Sequence, residues 1–144
     1  MNTSLRYGLL MALLALLPAG VQAAQGLLDG MTFVGINGEA GKPLDPDEHE
    51  ELTFHDGLFT SISCAPYNFG SSPYTTQVKD NAIHFHAVTE SPTHGTISWQ
   101  GVITGDNAEV TFVWTKERWY WNTRREYWFR GTLKDQATAG PPSP

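Results

Sequence analysis

Between positions 110 and 133 the chain reads VTFVWTKERWYWNTRREYWFRGTL, and both ends of this stretch alternate apolar and polar residues with a period of two. Val110, Phe112 and Trp114 fall on one side of the first half. Tyr127, Phe129, Gly131 and Leu133 fall on one side of the second. Side chains alternate across a β-strand, so this is the pattern of a hairpin whose strands each carry one strongly apolar face. The stretch holds four of the five tryptophans. A face that aromatic must be covered, and an isolated two-stranded hairpin cannot cover itself. The rest of the chain has to supply more strands.

It does so in short alternating runs set apart by turn residues. Asp56-Gly57, Asp80-Asn81 and Asp106-Asn107 each separate two runs, and Asp29-Gly30 precedes the first. Asp, Asn and Gly tolerate the positive φ angles that tight hairpin turns demand. The runs predict eight strands, near 31–36, 51–55, 58–64, 73–79, 82–89, 95–104, 108–116 and 125–134, with the last hairpin turning near Asn122-Thr123-Arg124. Two longer connections interrupt them, at 37–50 and 65–72. Consecutive hairpins form an antiparallel meander. Eight such strands can close into an up-and-down barrel, with a two-sheet sandwich as the alternative. Gly35, Gly95, Gly101 and Gly131 sit inside strands, where closure calls for bends or bulges.

The N-terminus reads differently. Arg6 precedes an apolar run at 9–17 (LLMALLALL), which Pro18 and Gly20 end. Nine apolar residues suit the core of a secretory signal and are too few to span a bilayer. Val21-Gln22-Ala23 puts small residues at the cleavage site, so residues 1–23 are expected to be removed, with cleavage after Ala24 as the alternative. The expected address is the periplasm or the exterior of a bacterium, with no stable membrane insertion after cleavage. One domain then occupies 24–136, and 137–144 (ATAGPPSP) is expected to be a disordered tail.

Removing residues 1–23 takes only Arg6 from the charges, which leaves 8 Lys+Arg against 15 Asp+Glu, a net charge of −7. Nucleic-acid binders present a basic face, so a nucleic-acid partner is not expected. Cys64 is the only cysteine, which excludes an intramolecular disulfide. Packing has to supply the stability.

The arrangement resembles the lipocalin-like, or calycin, barrels. Those proteins carry Gly-x-Trp on the first strand and a late Arg that packs over the Trp. Here Gly30-Met31-Thr32-Phe33 offers a glycine followed by an aromatic one residue beyond that spacing, with Phe in place of Trp, and Arg130 stands as the late Arg. The resemblance implies an interior pocket for a small apolar or amphipathic ligand. The inward-facing aromatics that would line it are Phe33, Phe54, Phe85, Trp99, Phe112, Trp114 and Phe129.

Other groups could carry chemistry. His84 and His86 share one face of a strand, a geometry that can chelate zinc or copper, and His84-x-His86-x3-Glu90 is similar to part of the cupin metal motif. The flanking glycines and a second motif are missing. Against a metal site, Ile83, Phe85 and Ala87 form the apolar face, which turns both histidines to solvent. Cys64 could be reactive, with His55 the nearest histidine in sequence, or simply a small buried apolar group. Asp45, Asp47, Glu48, Glu50 and Glu51 form an acidic loop around His49 without the spacing of a calcium-binding loop. Arg118, Arg124 and Arg125 lie around Trp119, Tyr120 and Trp121 at the hairpin tip. Either these aromatics are exposed for a partner protein, a sugar or a lipid headgroup, or the arginines cover them.

No nucleophile elbow, phosphate loop, dinucleotide fingerprint, His-Glu-x-x-His or Cys-x-x-Cys occurs. This points to binding rather than catalysis. Three functions remain open: a non-catalytic binder of a small apolar or amphipathic molecule, a solid barrel that meets a protein partner through its aromatic tip, and a metal-binding protein or cupin-like metalloenzyme using His84 and His86.

Overall fold

The computed structural model describes residues 26–134, so the expected signal segment 1–23 and the tail 137–144 lie outside the described residues. Eight strands follow one another: β1 (Thr32–Glu39), β2 (His49–His55), β3 (Leu58–Ser61), β4 (Ser72–Lys79), β5 (Ala82–Ser91), β6 (Gly95–Thr104), β7 (Asn107–Glu117) and β8 (Asn122–Leu133). Each pairs antiparallel with the next, and β8 pairs with β1 to close an up-and-down barrel. The sandwich alternative is thereby set aside. A single turn of 3-10 helix, Ala65–Tyr67, interrupts the strands.

The turns explain the meander. Asp56 and Gly57 have φ of 51° and 75°, and Asp80 and Asn81 have 51° and 61°. Positive φ at both positions matches the right-handed twist of the flanking strands. The third turn differs from expectation. Thr104 pairs with Asn107, so the loop is Gly105-Asp106, with Gly105 at φ 58°. The last loop is also displaced. Glu117 pairs with Asn122, which makes Arg118 to Trp121 the turn itself and puts 122–124 inside β8.

All three two-residue turns lie at one end of the barrel. The four longer connections, 40–48, 62–71, 92–94 and 118–121, lie at the other. The chain before β1 seals the tight end. Leu28 is fully buried there, Gly30 donates its N–H to the Phe54 carbonyl at 2.8 Å, and Phe54 returns one to Met31 at 3.0 Å. Asp29 Oδ1 accepts from the Tyr74 hydroxyl at 2.7 Å and the Gly57 N–H at 2.9 Å. The Tyr74 oxygen in turn accepts the Leu28 N–H at 3.2 Å.

This clamp makes stability depend on pH at both extremes. The Tyr74 hydrogen bond, then the Gly57 N–H, holds the Asp29 carboxyl below its ordinary value. Burial, then the bond to Asp29, pushes the Tyr74 phenol well above its ordinary value. The Asp29 contribution is therefore present above the unfolded carboxyl pKa and lost as pH falls through the lower folded one. The Tyr74 contribution is present below the unfolded phenol pKa and lost as pH rises past it. Urea melts across pH should show both losses, and Tyr74→Phe should flatten the alkaline one. An unchanged alkaline slope in that variant would remove Tyr74 from the account.

Inside, the apolar faces fill the barrel. Phe33, Phe54, Phe59, Trp99 and Phe129 are almost wholly buried. Their rings touch in series: Phe33–Phe54 at 6.2 Å, Phe54–Phe59 at 5.3 Å, Phe59–Trp99 at 5.0 Å and Trp99–Phe112 at 4.3 Å between centroids. Phe85 joins them 5.0 Å from Phe54. The seam between β1 and β8 closes over a glycine pair, Gly35 opposite Gly131. A Cβ on Gly35 would strike the Arg130 carbonyl, and one on Gly131 would strike the Phe129 ring. The closure tolerates no side chain at either position.

Outward positions are mostly polar: Thr75, Gln77, His86, Glu90, Gln100, Glu109, Thr111 and Arg130 are exposed, with Val78 and Val88 the apolar residues among them on β4 and β5. Apolar inside and polar outside is the inverse of a barrel embedded in lipid.

Candidate functional site

The ring stack stops short of the loop-bearing end, where a cavity of about 350 Å³ opens. Phe112, stacked on Tyr127 at 5.1 Å and 10°, joins Ile97 and Trp114 in its lining. Cys64, Tyr67 and Phe69 come from the 62–71 connection and His94 from the 92–94 connection. Asn37 and Glu48 complete it. The lining is mostly aromatic and aliphatic with a few polar groups, the composition of small-molecule sites.

The connections are tied in place. Trp114 Nε1 donates to the His94 carbonyl at 2.6 Å, and the Tyr67 and His94 rings meet edge to face at 5.4 Å. Ser91 Oγ donates to the Tyr67 carbonyl at 2.7 Å, and Asn68 Nδ2 to Thr93 Oγ1 at 3.0 Å. Beneath the 62–71 connection lies Glu50, which is buried. Its Oε1 accepts N–H bonds from Glu51 at 2.8 Å and Ser63 at 3.1 Å; its Oε2 accepts the hydroxyls of Ser61 at 2.8 Å and of Ser63. A carboxylate so fully hydrogen-bonded needs no cation beside it. Glu50 therefore belongs to the wall that carries Cys64, Tyr67 and Phe69, and not to a solvated acidic loop as the sequence led us to expect.

One polar atom in the cavity is left over. Asn37 Oδ1 is buried and, alone among the buried side-chain polar atoms of the described residues, accepts no hydrogen bond. Such atoms are rare because each costs the hydration it has lost. Asn37 lies on β1 opposite Phe129 and faces inward. The sequence places the end of β1 at Ile36, before the connection at 37–50, and an Asn-Gly pair at 37–38 is compatible with a turn there. The strand continues because Gly38 lets the Trp128 ring lie across it: a Cβ there would come within 2.9 Å of that ring.

Of the seven aromatics expected to line a ligand pocket, Phe112 and Trp114 border this cavity. Phe33, Phe54 and Trp99 are spent on the packed part of the interior, and Phe85 and Phe129 are buried beneath a groove of about 880 Å³ on the outer wall, whose rim is polar. Tyr67, Phe69, His94, Ile97 and Tyr127 were not singled out. Tyr67, Phe69 and His94 lie on connections whose path no alternation describes, while Ile97 shares the inward face of β6 with Trp99. Tyr127 was assigned to the inward face, and the position of the open end is what brings it to the cavity.

The remaining candidates separate. His84, His86 and Glu90 stand on the outer face, as the alternation required, and no group of three or more His, Cys, Asp or Glu among the described residues is placed to hold a metal ion. Cys64 caps the 3-10 turn instead of ending a strand, and burial raises its thiol above the ordinary value, which keeps it protonated. His55 is at the tight end, 2.9 Å from Asp56, and does not meet Cys64. Arg130 faces outward with its guanidinium 5.5 Å from the Trp128 ring centre, so it does not cover Phe33 as the lipocalin comparison implied. Trp119, Tyr120 and Trp121 are 95%, 56% and 63% exposed, and the cation–π contacts of the described residues fall on Trp114 and Trp128 instead. The arginines are not their lids. Comparison of the chain with protein-family models, with curated proteins and with solved structures returns no match.

Proposed function

We propose that this protein is a non-catalytic binding protein that holds one small apolar or amphipathic molecule in the cavity at the open end of its barrel. The observation that carries the reading is the mostly aromatic and aliphatic cavity of about 350 Å³, whose wall holds the unpartnered Asn37 Oδ1 among a few other polar groups. Asn37 Oδ1 has no accessible surface where it stands, so a ligand with one hydrogen-bond donor on a flat or compact apolar body would satisfy that oxygen after a turn of the side-chain amide, while its body lies against Phe112, Trp114 and Tyr127. A volume of about 350 Å³ is at the lower end of ligand sites, which span roughly 300–1,000 Å³. A closed eight-stranded barrel, sealed at one end and open at the other, is compatible with a lipocalin-like fold, and kinship with those binders is part of the proposal.

Displacement of a fluorescent apolar probe by candidate ligands tests this. Ligands that carry a donor should bind more weakly to Asn37→Leu by about tenfold, equivalent to about 1.4 kcal/mol, while purely apolar ones should not weaken. Equal effects on both kinds would remove Asn37 from the recognition. No probe binding at all would remove the cavity.

A further inference from the structure

The hairpin of β7 and β8 outruns the barrel. β6 pairs with β7 only as far as Thr115, and β1 pairs with β8 only as far as Tyr127, yet the hairpin ladder continues to Glu117 opposite Asn122. Beyond Thr115 it pairs with itself alone, and its four-residue loop is closed by the Arg118 N–H donating to the Trp121 carbonyl at 3.1 Å. At about 3.4 Å per residue the tip stands on the order of 10 Å clear of its neighbours.

What it presents there is unusual for a surface in water. Trp119 and Trp121 flank Tyr120, with ring centroids 5.1 Å and 5.3 Å apart, and all three are more than half exposed. Leu44 and Tyr67, on two other connections at the same end, are also about half exposed. The charge of this hairpin is opposite to that of the chain. Residues 116–126 carry Lys116, Arg118, Arg124 and Arg125 against Glu117 and Glu126, in a protein of net charge −6. Glu126 is taken up by Arg124 at 2.5 Å. Among the described residues neither Lys116 nor Arg118 has a carboxylate partner, and Arg118 Nη1 donates to Thr123 Oγ1 at 2.7 Å.

We infer that this tip docks the open end of the barrel onto an anionic lipid surface, with Trp119, Tyr120 and Trp121 seated at headgroup level and the basic residues against lipid phosphates. Tryptophan and tyrosine favour that interface because their rings are apolar at one end and hydrogen-bonding at the other. Basic residues near an anionic leaflet add electrostatic attraction that salt screens. The acidic residues Asp45, Asp47 and Glu48 belong to the neighbouring 40–48 connection, so the hairpin makes the contact and not the whole rim. The contact is peripheral: the outer wall of the barrel is polar and stays in water. It does not depend on the cavity being occupied.

Vesicle co-sedimentation tests the inference, with equimolar phosphatidylcholine and phosphatidylglycerol against phosphatidylcholine alone. The protein should bind the anionic vesicles, its tryptophan emission should shift to the blue, and added salt should release it. The double variant Trp119→Ala, Trp121→Ala should keep the parent's melting midpoint and lose about tenfold or more in partitioning, while Trp119→Phe, Trp121→Phe should retain most of it. Absence of binding to anionic vesicles would overturn the proposal, as would binding that the alanine pair leaves intact. Self-association of the parent that the alanine pair abolishes, with no vesicle binding, would also overturn it and assign the tip to a second copy of the chain.

Discussion

Replacing Trp99 with alanine is expected to lower the unfolding free energy by about 3–5 kcal/mol, among the largest losses of any truncation in the core. Trp99 is fully buried between Phe59 and Phe112, with centroids 5.0 Å and 4.3 Å away. Its indole N–H donates to Thr89 Oγ1 at 2.9 Å. Truncation therefore opens a large hole among rings that cannot follow one another into it, and it leaves a buried hydroxyl without its donor. Thr89→Val should cost much less, because only the hydrogen bond is lost. Denaturant melts read both values. A Trp99→Ala loss below about 1 kcal/mol, the range of ordinary surface substitutions, would mean that the interior is not packed as described. Trp114, which the alternation groups with the core, should fall short of that loss because it is only partly buried and borders the cavity.

Glu50→Ala is expected to cost on the order of 3 kcal/mol, since the buried Ser61 hydroxyl and three half-buried donors lose their acceptor, a stranded buried group costs about 1–3 kcal/mol, and the half-buried ones recover part of theirs from water. The location of the damage matters more than its size. Glu50 joins β2 to Ser61 and Ser63, and through them to the segment that brings Cys64, Tyr67 and Phe69 to the cavity. The variant should therefore bind the apolar probe poorly even where it remains folded. Glu50→Gln keeps one oxygen acceptor and should fall between the parent and the alanine variant. If Glu50→Ala melted like the parent, the carboxylate would have to be an ordinary solvated one.

The barrel was legible in the chain because both of its determinants are local. Period-two alternation sets which face of each strand is inward, and Asp-Gly or Asp-Asn pairs set where the chain reverses. A local signal misleads where it has two readings. Gly105-Asp106 and Asp106-Asn107 are both acceptable turns, and the pairing of Thr104 with Asn107 decides between them. Asn37-Gly38 reads as a turn and is strand, because its neighbours across the seam are Phe129 and Trp128. The site was less legible than the barrel for a related reason. Inward-facing aromatics are required by both a filled barrel and a hollow one, and alternation does not say where the filling stops. The cavity falls where it does because every two-residue turn is at one end, so the connections that can fold back over the interior are all at the other. That asymmetry is visible in the loop lengths. The side chains that use it, Tyr67, Phe69 and His94, belong to segments without a period.

The most direct measurement is an NMR titration of the amide resonances with the fluorescent apolar probe or a ligand that displaces it. The cavity reading predicts saturable shifts confined to the open end: Asn37, Glu48, residues 64–69, His94 to Ile97, Phe112 to Trp114 and Tyr127. Shifts centred instead on the outer groove, at His84, His86, Gln100, Glu109 and Arg130, or no saturable shifts with any apolar compound, would contradict it.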